Sequence, residues 1–543
     1  MKRLSKQSSR WLVALFFLTL TLVGLLTSAD YGQPWDEPWE QDILRLNGNQ
    51  YASFLGLSSR MALQSDMPAP ASLLIADSVE RDHGQSAYYP LLWLVADTAI
   101  SPLAHMVIWH GYTWLLFMGG VAALWLLCRR LGLSRLLSSV AALFLVLTPR
   151  MFAEGHYNNK DVVLLSLVLM TLWLAARLME RPTALCAVVF SLAGAAAANT
   201  KIIGLLVWGL CALFVLLRQV AGRRMDRQAW SAAAAALLAY GGFYFLLTPA
   251  MWQDPLAYLR YVLATAADFT RWQNYVLFRG SIFHLKTTPL PRYYLPYMIL
   301  VTTPLWVLFF LLAGQLAAIR RWLRRGVSPF AEDRAMLLLL CTLLWLVPIG
   351  YAVLARPTTY NGWRHFYFLY APMLVLAAHG LHHTAQWLSR GGSVIPRRIG
   401  AALLALCMGA SATQIAISHP YQYTFYNALA YRENLPAYLE LDYWNVSALD
   451  ALRAVVAQVP DGEQVSIAGS DVGSHNGLTS AFHLLAPTEQ ARLRLIAPGS
   501  KGAAYTFVNQ TYAVLNYWQP PANRRLLFDI TSFGVPIYSV YAR

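Results

Sequence analysis

The chain has 543 residues, of which 57% are hydrophobic and 13% charged, with a formal net charge of +15 and a mean hydropathy of +0.42. That composition excludes a soluble enzyme. The basic residues sit in short segments between apolar runs, which fits positive-inside membrane topology and argues against a nucleic-acid partner. The five cysteines (Cys128, Cys186, Cys211, Cys341 and Cys407) all fall within or at the ends of apolar runs, giving no disulfide framework and no zinc-type spacing.

In chain order, Lys2, Arg3, Lys6 and Arg10 precede an apolar run over 11–28 that is long enough to cross a bilayer, so the N-terminus is expected in the cytoplasm. The run ends in Thr27-Ser28-Ala29-Asp30, faintly like a signal-peptidase site, but its length suits a retained first span. Residues 30–42 then pack five carboxylates and two tryptophans. Adjacent carboxylates each disfavour ionisation of the other, so holding Asp36 beside Glu37 at a membrane surface implies a use. Residues 30–88 form a first outer loop and residues 248–292 a second. Between and after them, apolar runs at 105–127, 136–147, 162–176, 184–198, 202–217, 232–247, 293–318, 336–354, 366–387 and 399–417 alternate across the membrane. Every strongly basic connection then falls on one side, including Arg129-Arg130, Arg223-Arg224, Arg320-Arg321 and Arg397-Arg398.

The expected fold is a polytopic α-helical membrane protein with about eleven transmembrane helices over residues 1–418, followed by a small C-terminal α/β domain over 419–543 on the periplasmic side. In that domain Ser447-Ala448-Leu449-Asp450 has a capping-box pattern opening an amphipathic helix. Short apolar runs at 465–468, 505–508, 526–530 and 535–541 read as strands.

This topology sorts the polar residues by side. The outer ends collect Asp36-Glu37, the stretch from Glu154 through His156, Asn159 and Lys160 to Asp161, then Asn199-Thr200-Lys201. They also collect Arg271, Arg279, His284, Lys286 and Arg292, and finally Arg356 with Tyr360-Asn361-Gly362-Trp363-Arg364-His365. Any one of these can snorkel to water at a span end. Carboxylates and cations gathered on one face from distant loops call for more. Cations beside apolar spans suit a lipid with a phosphate head, and a carboxylate among them suits a general base towards a hydroxyl or amine. One base with several cations fits transfer of a sugar from a polyprenyl-phosphate donor. The alternatives are a transporter or flippase of lipid-linked sugars, and a glycan polymerase or ligase using pyrophosphate-linked donors. No G-x-S-x-G or H-E-x-x-H motif points to a hydrolase.

The Asp36-Glu37 pair just after the first span resembles the signature of the C-type (GT-C) membrane glycosyltransferases, in the branch of the protein O-mannosyltransferases and the lipid A aminoarabinose transferase. His156-Tyr157-Asn158-Asn159-Lys160-Asp161 resembles that family's second outer-loop motif, Ala198-Asn199-Thr200-Lys201 its Thr-Lys motif, and Gly362-Trp363-Arg364-His365 its late Arg-His block. The resemblance covers about residues 10–420. It implies Asp36 as the acceptor-activating base, with Glu37 assisting substrate binding. It further implies that Lys160, Lys201 and Arg364 hold the donor phosphate and that His156, Asn159, Asp161 and His365 line the cavity. Tyr360 is a candidate for stacking on a sugar. The implied partners are a polyprenyl-phosphate sugar donor, membrane lipids, and a lipid, glycan or protein acceptor at a bacterial inner membrane. No cofactor is called for, and whether a divalent metal sits near Asp36 is open. Residues 421–427 and Asp442-Tyr443-Trp444 match neither branch, and Tyr443-Trp444 reads as an interfacial aromatic belt or a domain-core contact.

Overall fold

Eight helices are long and apolar enough to cross a membrane in the computed structural model, which describes residues 6–58, 60–267, 274–325, 330, 332–359, 361–430 and 434–543. They are Ser8–Thr27, Pro102–Arg130, Asp161–Glu180, Ile203–Ala221, Arg227–Leu247, Leu305–Leu323, Asp333–Ala355 and Ile395–Ile417. The other three expected spans take different forms. The run at 184–198 is a 17-residue helix, Ala184–Thr200. The run at 366–387 starts as a 3-10 turn, Arg364–Leu369, before the Tyr370–Trp387 helix. The run at 136–147 is not a straight span: the 12-residue helix Arg135–Val146 is followed by Pro149–Tyr157 at a 72° bend.

Proline explains that bend, because it cannot donate the backbone bond that a continuous helix needs. Thr148 closes the gap, donating through Oγ1 to the Phe144 carbonyl and lying 2.7 Å from the Tyr370 hydroxyl. Pro304 similarly divides the expected run at 293–318 into Tyr294–Thr302 and Leu305–Arg325.

The ends of the bundle differ in charge chemistry. At one end Arg218 meets Asp333 at 2.6 Å, Arg130 pairs with Glu180, and Arg321 pairs with Glu332. Of the expected outer residues, Asp36, Glu37, Lys160, Asp161, Lys201, Arg364 and His365 lie together at the other end. Where the Leu305–Arg325 and Tyr370–Trp387 helices cross, their backbones touch. A Cβ on Gly314 would lie 1.9 Å from the Leu376 carbonyl oxygen, and one on Gly380 1.9 Å from that of Phe310. Small residues permit such an approach between membrane helices.

The C-terminal domain carries a five-stranded sheet in the order β4-β3-β5-β7-β6, with β3 at Val465–Gly469, β4 at Leu493–Leu495, β5 at Tyr505–Asn509, β6 at Arg525–Ser532 and β7 at Val535–Ala542. The first three are parallel, with Ile467 opposite both Leu495 and Tyr505, and β7 joins antiparallel with Phe507 opposite Val540. Four strands are those expected from sequence; the three-residue β4 is too short to show a pattern. The amphipathic helix forms at Ala448–Val456, burying Leu449, Leu452, Val455 and Val456. Its expected capping box does not form, because the Ser447 hydroxyl donates to Asp442 instead. The second outer loop contains an unexpected hairpin, β1 at Tyr275–Phe278 and β2 at Ser281–His284, turning through Arg279 and Gly280 at positive φ. Residues 419–447 join sheet to bundle: Asn427 donates to the Val301 carbonyl at 2.7 Å, and His419 lies 2.8 Å from Asp30.

The helix crossing gives a direct test. Gly380→Leu should cost about 2 kcal/mol or more, because the side chain must displace backbone, and should lower the thermal midpoint of the detergent-solubilised protein. Gly409→Leu, at a position with open space around it, should leave that midpoint unchanged.

Candidate active site

The outer residues converge on a recess of about 60 Å³ whose walls include Asp36, Glu37, Glu40, Asn159, Lys160, Asp161, Lys201, Arg364, His365 and Trp444. Asp36 is the last residue before the Glu37–Phe54 helix, with Pro38 in its first turn. It does not cap that helix with its side chain. Its Oδ2 accepts from Arg364 Nη1 at 3.3 Å and from Trp444 Nε1 at 3.0 Å, while the side chain stays 45% exposed.

Glu37 is placed differently. It is buried, its Oε2 lies 2.8 Å from His110 Nε2, and its Oε1 accepts from Gln33 and Gln41 at 2.9 and 3.0 Å. A carboxylate held by three partners fixes the start of the helix. Asp36 is the member of the pair that faces the recess with an open side.

Glu40 and Asp42, legible from sequence only as acids near a helix start, have separate tasks. Glu40 pairs with Lys160 and accepts from Gln85. Asp42 is buried, accepting from Arg45 at 2.7 Å and from Ser65 N and Oγ at 2.8 and 2.6 Å, which ties the first outer loop to the helix.

The bent helix Pro149–Tyr157 carries the chain to Lys160 at the mouth of the Asp161–Glu180 helix. Lys160 Nζ reaches Glu40 and lies 3.2 Å from His83 Nδ1. Asp161 pairs with Lys201, which stands in the turn between the Ala184–Thr200 and Ile203–Ala221 helices. That turn is tight, since a Cβ on Gly204 would sit 2.3 Å from the Ala197 carbonyl carbon. Burial pushes the Lys201 ammonium down, and Asp161 opposes the shift. Arg364 is buried with its guanidinium 4.7 Å from the Trp444 ring. Burial, then Lys201 and Arg364, hold the His365 imidazole well below its usual range, so it is neutral at pH 7.

Two expected cavity residues fall outside this picture. His156 does not line the recess. Its ring is sandwiched between Tyr31 at 4.3 Å and Trp114 at 4.5 Å, with its nitrogens 3.0 and 3.1 Å from the Phe152 and Gly24 carbonyls. It locks the bent helix to the first span. Tyr360 and Arg271 lie outside the described residues. Conversely, Trp444 belongs to the recess rather than to an aromatic belt. Of the two places expected for it, the domain-core contact is the nearer, since Trp444 packs with Tyr157 and Tyr423.

The arrangement matches each cation with one acid: Lys160 with Glu40, Lys201 with Asp161, Arg364 with Asp36. Such a set can receive a phosphate: Lys160 and Lys201 exchange carboxylate partners for phosphate oxygens, while Arg364 keeps Asp36 through Nη1 and turns other guanidinium N–H groups to the phosphate. Among the described residues no group of three or more His, Cys, Asp or Glu is placed to hold a metal.

No protein-family model matches the chain, and no curated protein sequence matches it. Solved structures do. The apo oligosaccharyltransferase of Archaeoglobus fulgidus superposes with a TM-score of 0.47 at 13% identity, covering 95% of this chain and 71% of that one. ArnT from Cupriavidus metallidurans bound to undecaprenyl phosphate gives 0.44 at 12% identity, covering 98% of each chain. Apo ArnT from the same organism gives 0.47 at 13% identity, covering 99% and 98%.

Behind the recess, burial pushes the Glu440 carboxyl up to about 7 and that of Asp442 up to about 6. Glu440 accepts long bonds from Leu277 N and Asn361 Nδ2, both at 3.4 Å. Below the unfolded carboxylate range both states are protonated and Glu440 has no effect on stability. Above about 7 the folded state carries the cost of a buried charge, so stability from this group is lost as pH rises between those limits. Glu440→Gln should therefore gain on the parent from pH 5 to pH 8, by up to about 3 kcal/mol, measured as the difference in thermal midpoint across that range.

Proposed function

We propose that the chain is a GT-C glycosyltransferase that moves a sugar from a polyprenyl-phosphate carrier to a lipid, glycan or protein acceptor at the periplasmic face of a bacterial inner membrane. The observation that carries this reading is the half-exposed Asp36 carboxylate beside Lys160, Lys201 and Arg364, brought by four separate segments to one recess at the end of a membrane bundle.

In the proposed reaction an acceptor hydroxyl or amine attacks the anomeric carbon of the donor sugar. The bond from that carbon to the phosphate oxygen breaks, and its electron pair leaves with the lipid phosphate. The acceptor proton passes to Asp36. Lys160, Lys201 and Arg364 neutralise the phosphate charge as it develops, so the leaving group needs no proton. Glu37 fixes the position of Asp36 through the helix start. Neutral His365 lines the recess without adding a charge that would compete with the carboxylates for the cations. No step requires a metal.

The test uses membranes supplied with undecaprenyl phosphate carrying a radiolabelled hexose or pentose, with label transferred to envelope material as the readout. Asp36→Asn should lower transfer by about 10²-fold or more while undecaprenyl phosphate still binds; full activity at normal expression contradicts the reading. Lys201→Gln or Arg364→Gln should instead weaken binding of undecaprenyl phosphate to the purified protein and raise the donor KM. A chelator such as EDTA should leave transfer unchanged.

A further inference from the structure

The C-terminal sheet has no place in the reaction as described so far, yet it is built into the recess through one loop, residues 442–447. The loop before the Glu37–Phe54 helix is bonded to it backbone to backbone: Trp35 N–H donates to the Trp444 carbonyl at 3.3 Å. A Cβ on Gly32 would lie 2.1 Å from the Val446 carbonyl oxygen, so the loops pass at backbone distance. From this loop the Trp444 side chain reaches into the recess. Its Nε1–H is directed at Asp36 Oδ2, and its ring lies beneath the Arg364 guanidinium. With two donors on Oδ2, and no donor to Oδ1 among the described residues, the carboxylate is held in one rotation with one oxygen available.

The loop in turn is gripped from behind. Asp442 is buried and accepts from the Tyr423 and Ser447 hydroxyls and from Val446 N at 2.9 Å. Asn509, at the C-terminal end of β5, donates to the Asp442 carbonyl at 2.6 Å and to Asn445 Oδ1 at 2.9 Å. Tyr512 donates to the Tyr443 carbonyl at 2.7 Å. The C-terminal edge of parallel strands is where open α/β sheets bind ligands. Here that edge is filled by the chain's own loop.

We propose that Trp444 is a positioning residue for the transfer reaction, and that the C-terminal sheet serves as the clamp that presents its indole to Asp36 and Arg364. The inference rests on the glycosyl-transfer reading and adds to it the group that sets the orientation of the base. Removing the indole N–H frees the carboxylate to rotate, which lowers the rate of proton transfer without touching the cations that hold the phosphate.

The experiment compares Trp444→Phe, Asn509→Ala and the double variant, using the full chain in nanodiscs. The readouts are kcat and KM for undecaprenyl-phosphate-linked sugar, binding of undecaprenyl phosphate, and thermal midpoint. Phenylalanine keeps a ring under Arg364 and removes only the donor. The expected result for Trp444→Phe is a kcat lowered roughly tenfold or more, with KM, lipid binding and midpoint unchanged. Asn509→Ala, remote from the recess, should lower kcat with KM and lipid binding unchanged, and should also lower the midpoint, because Asn509 caps the Gln510–Leu515 helix. In the Trp444→Phe background it should add little, because both act through one contact. A parental kcat in Trp444→Phe overturns the proposal, as does a kcat that falls only together with lipid binding and midpoint. If Trp444→Phe does not fold, Asn509→Ala decides by kcat against lipid binding: a lowered kcat with lipid binding intact supports the clamp, and a parental kcat, or one that falls only with lipid binding, overturns it. An active Asp36→Asn would defeat the transfer reading itself; an inactive Asp36→Asn beside a fully active Trp444→Phe defeats only the clamp.

Discussion

The contact between Asp36 and Arg364 joins positions 328 residues apart, and the outer end of the molecule is arranged around it. A carboxylate at a membrane surface keeps its charge most cheaply beside a cation, and a buried guanidinium needs an acceptor. Each fixes the other. The same rule places Glu40 against Lys160 and Asp161 against Lys201, so three acid–base pairs from distant segments share one recess. The pairs are matched well enough to preorganise the recess, and Asp36 alone among these acids combines an open side with two donors on one oxygen.

The helices that carry these groups are deliberately imperfect. A straight span at 136–157 would carry Tyr157 and the residues after it away from the recess. The bend at Pro149 turns that segment across the outer end and lets Lys160 begin the next helix beside Glu40. The tight turn at Lys201 does the same for the second cation. At the opposite end, pairs such as Arg218 with Asp333 tie helix ends together, which leaves the outer end to be specialised.

Much of this was legible in the sequence because membrane physics is strict: apolar run length and the siding of arginines leave few topologies. The pair Asp36-Glu37, the cations Lys160, Lys201 and Arg364, and Asn159, Asp161 and His365 were all picked from sequence, and all line the one recess. Four things were not legible. A proline at 149 or 304 does not announce whether a helix kinks or stops, so span shapes were lost. His156 sits in a polar motif, and nothing local shows that its ring is taken up by Tyr31 and Trp114. Trp444 needs a contact across 408 residues, and an aromatic at a membrane interface has too common a default for sequence to reveal that. The division of labour within Asp36-Glu37 was likewise hidden, because it depends on His110 lying under Glu37.

The most direct test is a density map of the protein with undecaprenyl phosphate in a lipid nanodisc. The phosphate is expected between Lys160, Lys201 and Arg364, with the open oxygen of Asp36 facing the side where the sugar would be attached. Phosphate density at the opposite, arginine-rich end of the bundle, with the recess unchanged, would contradict it.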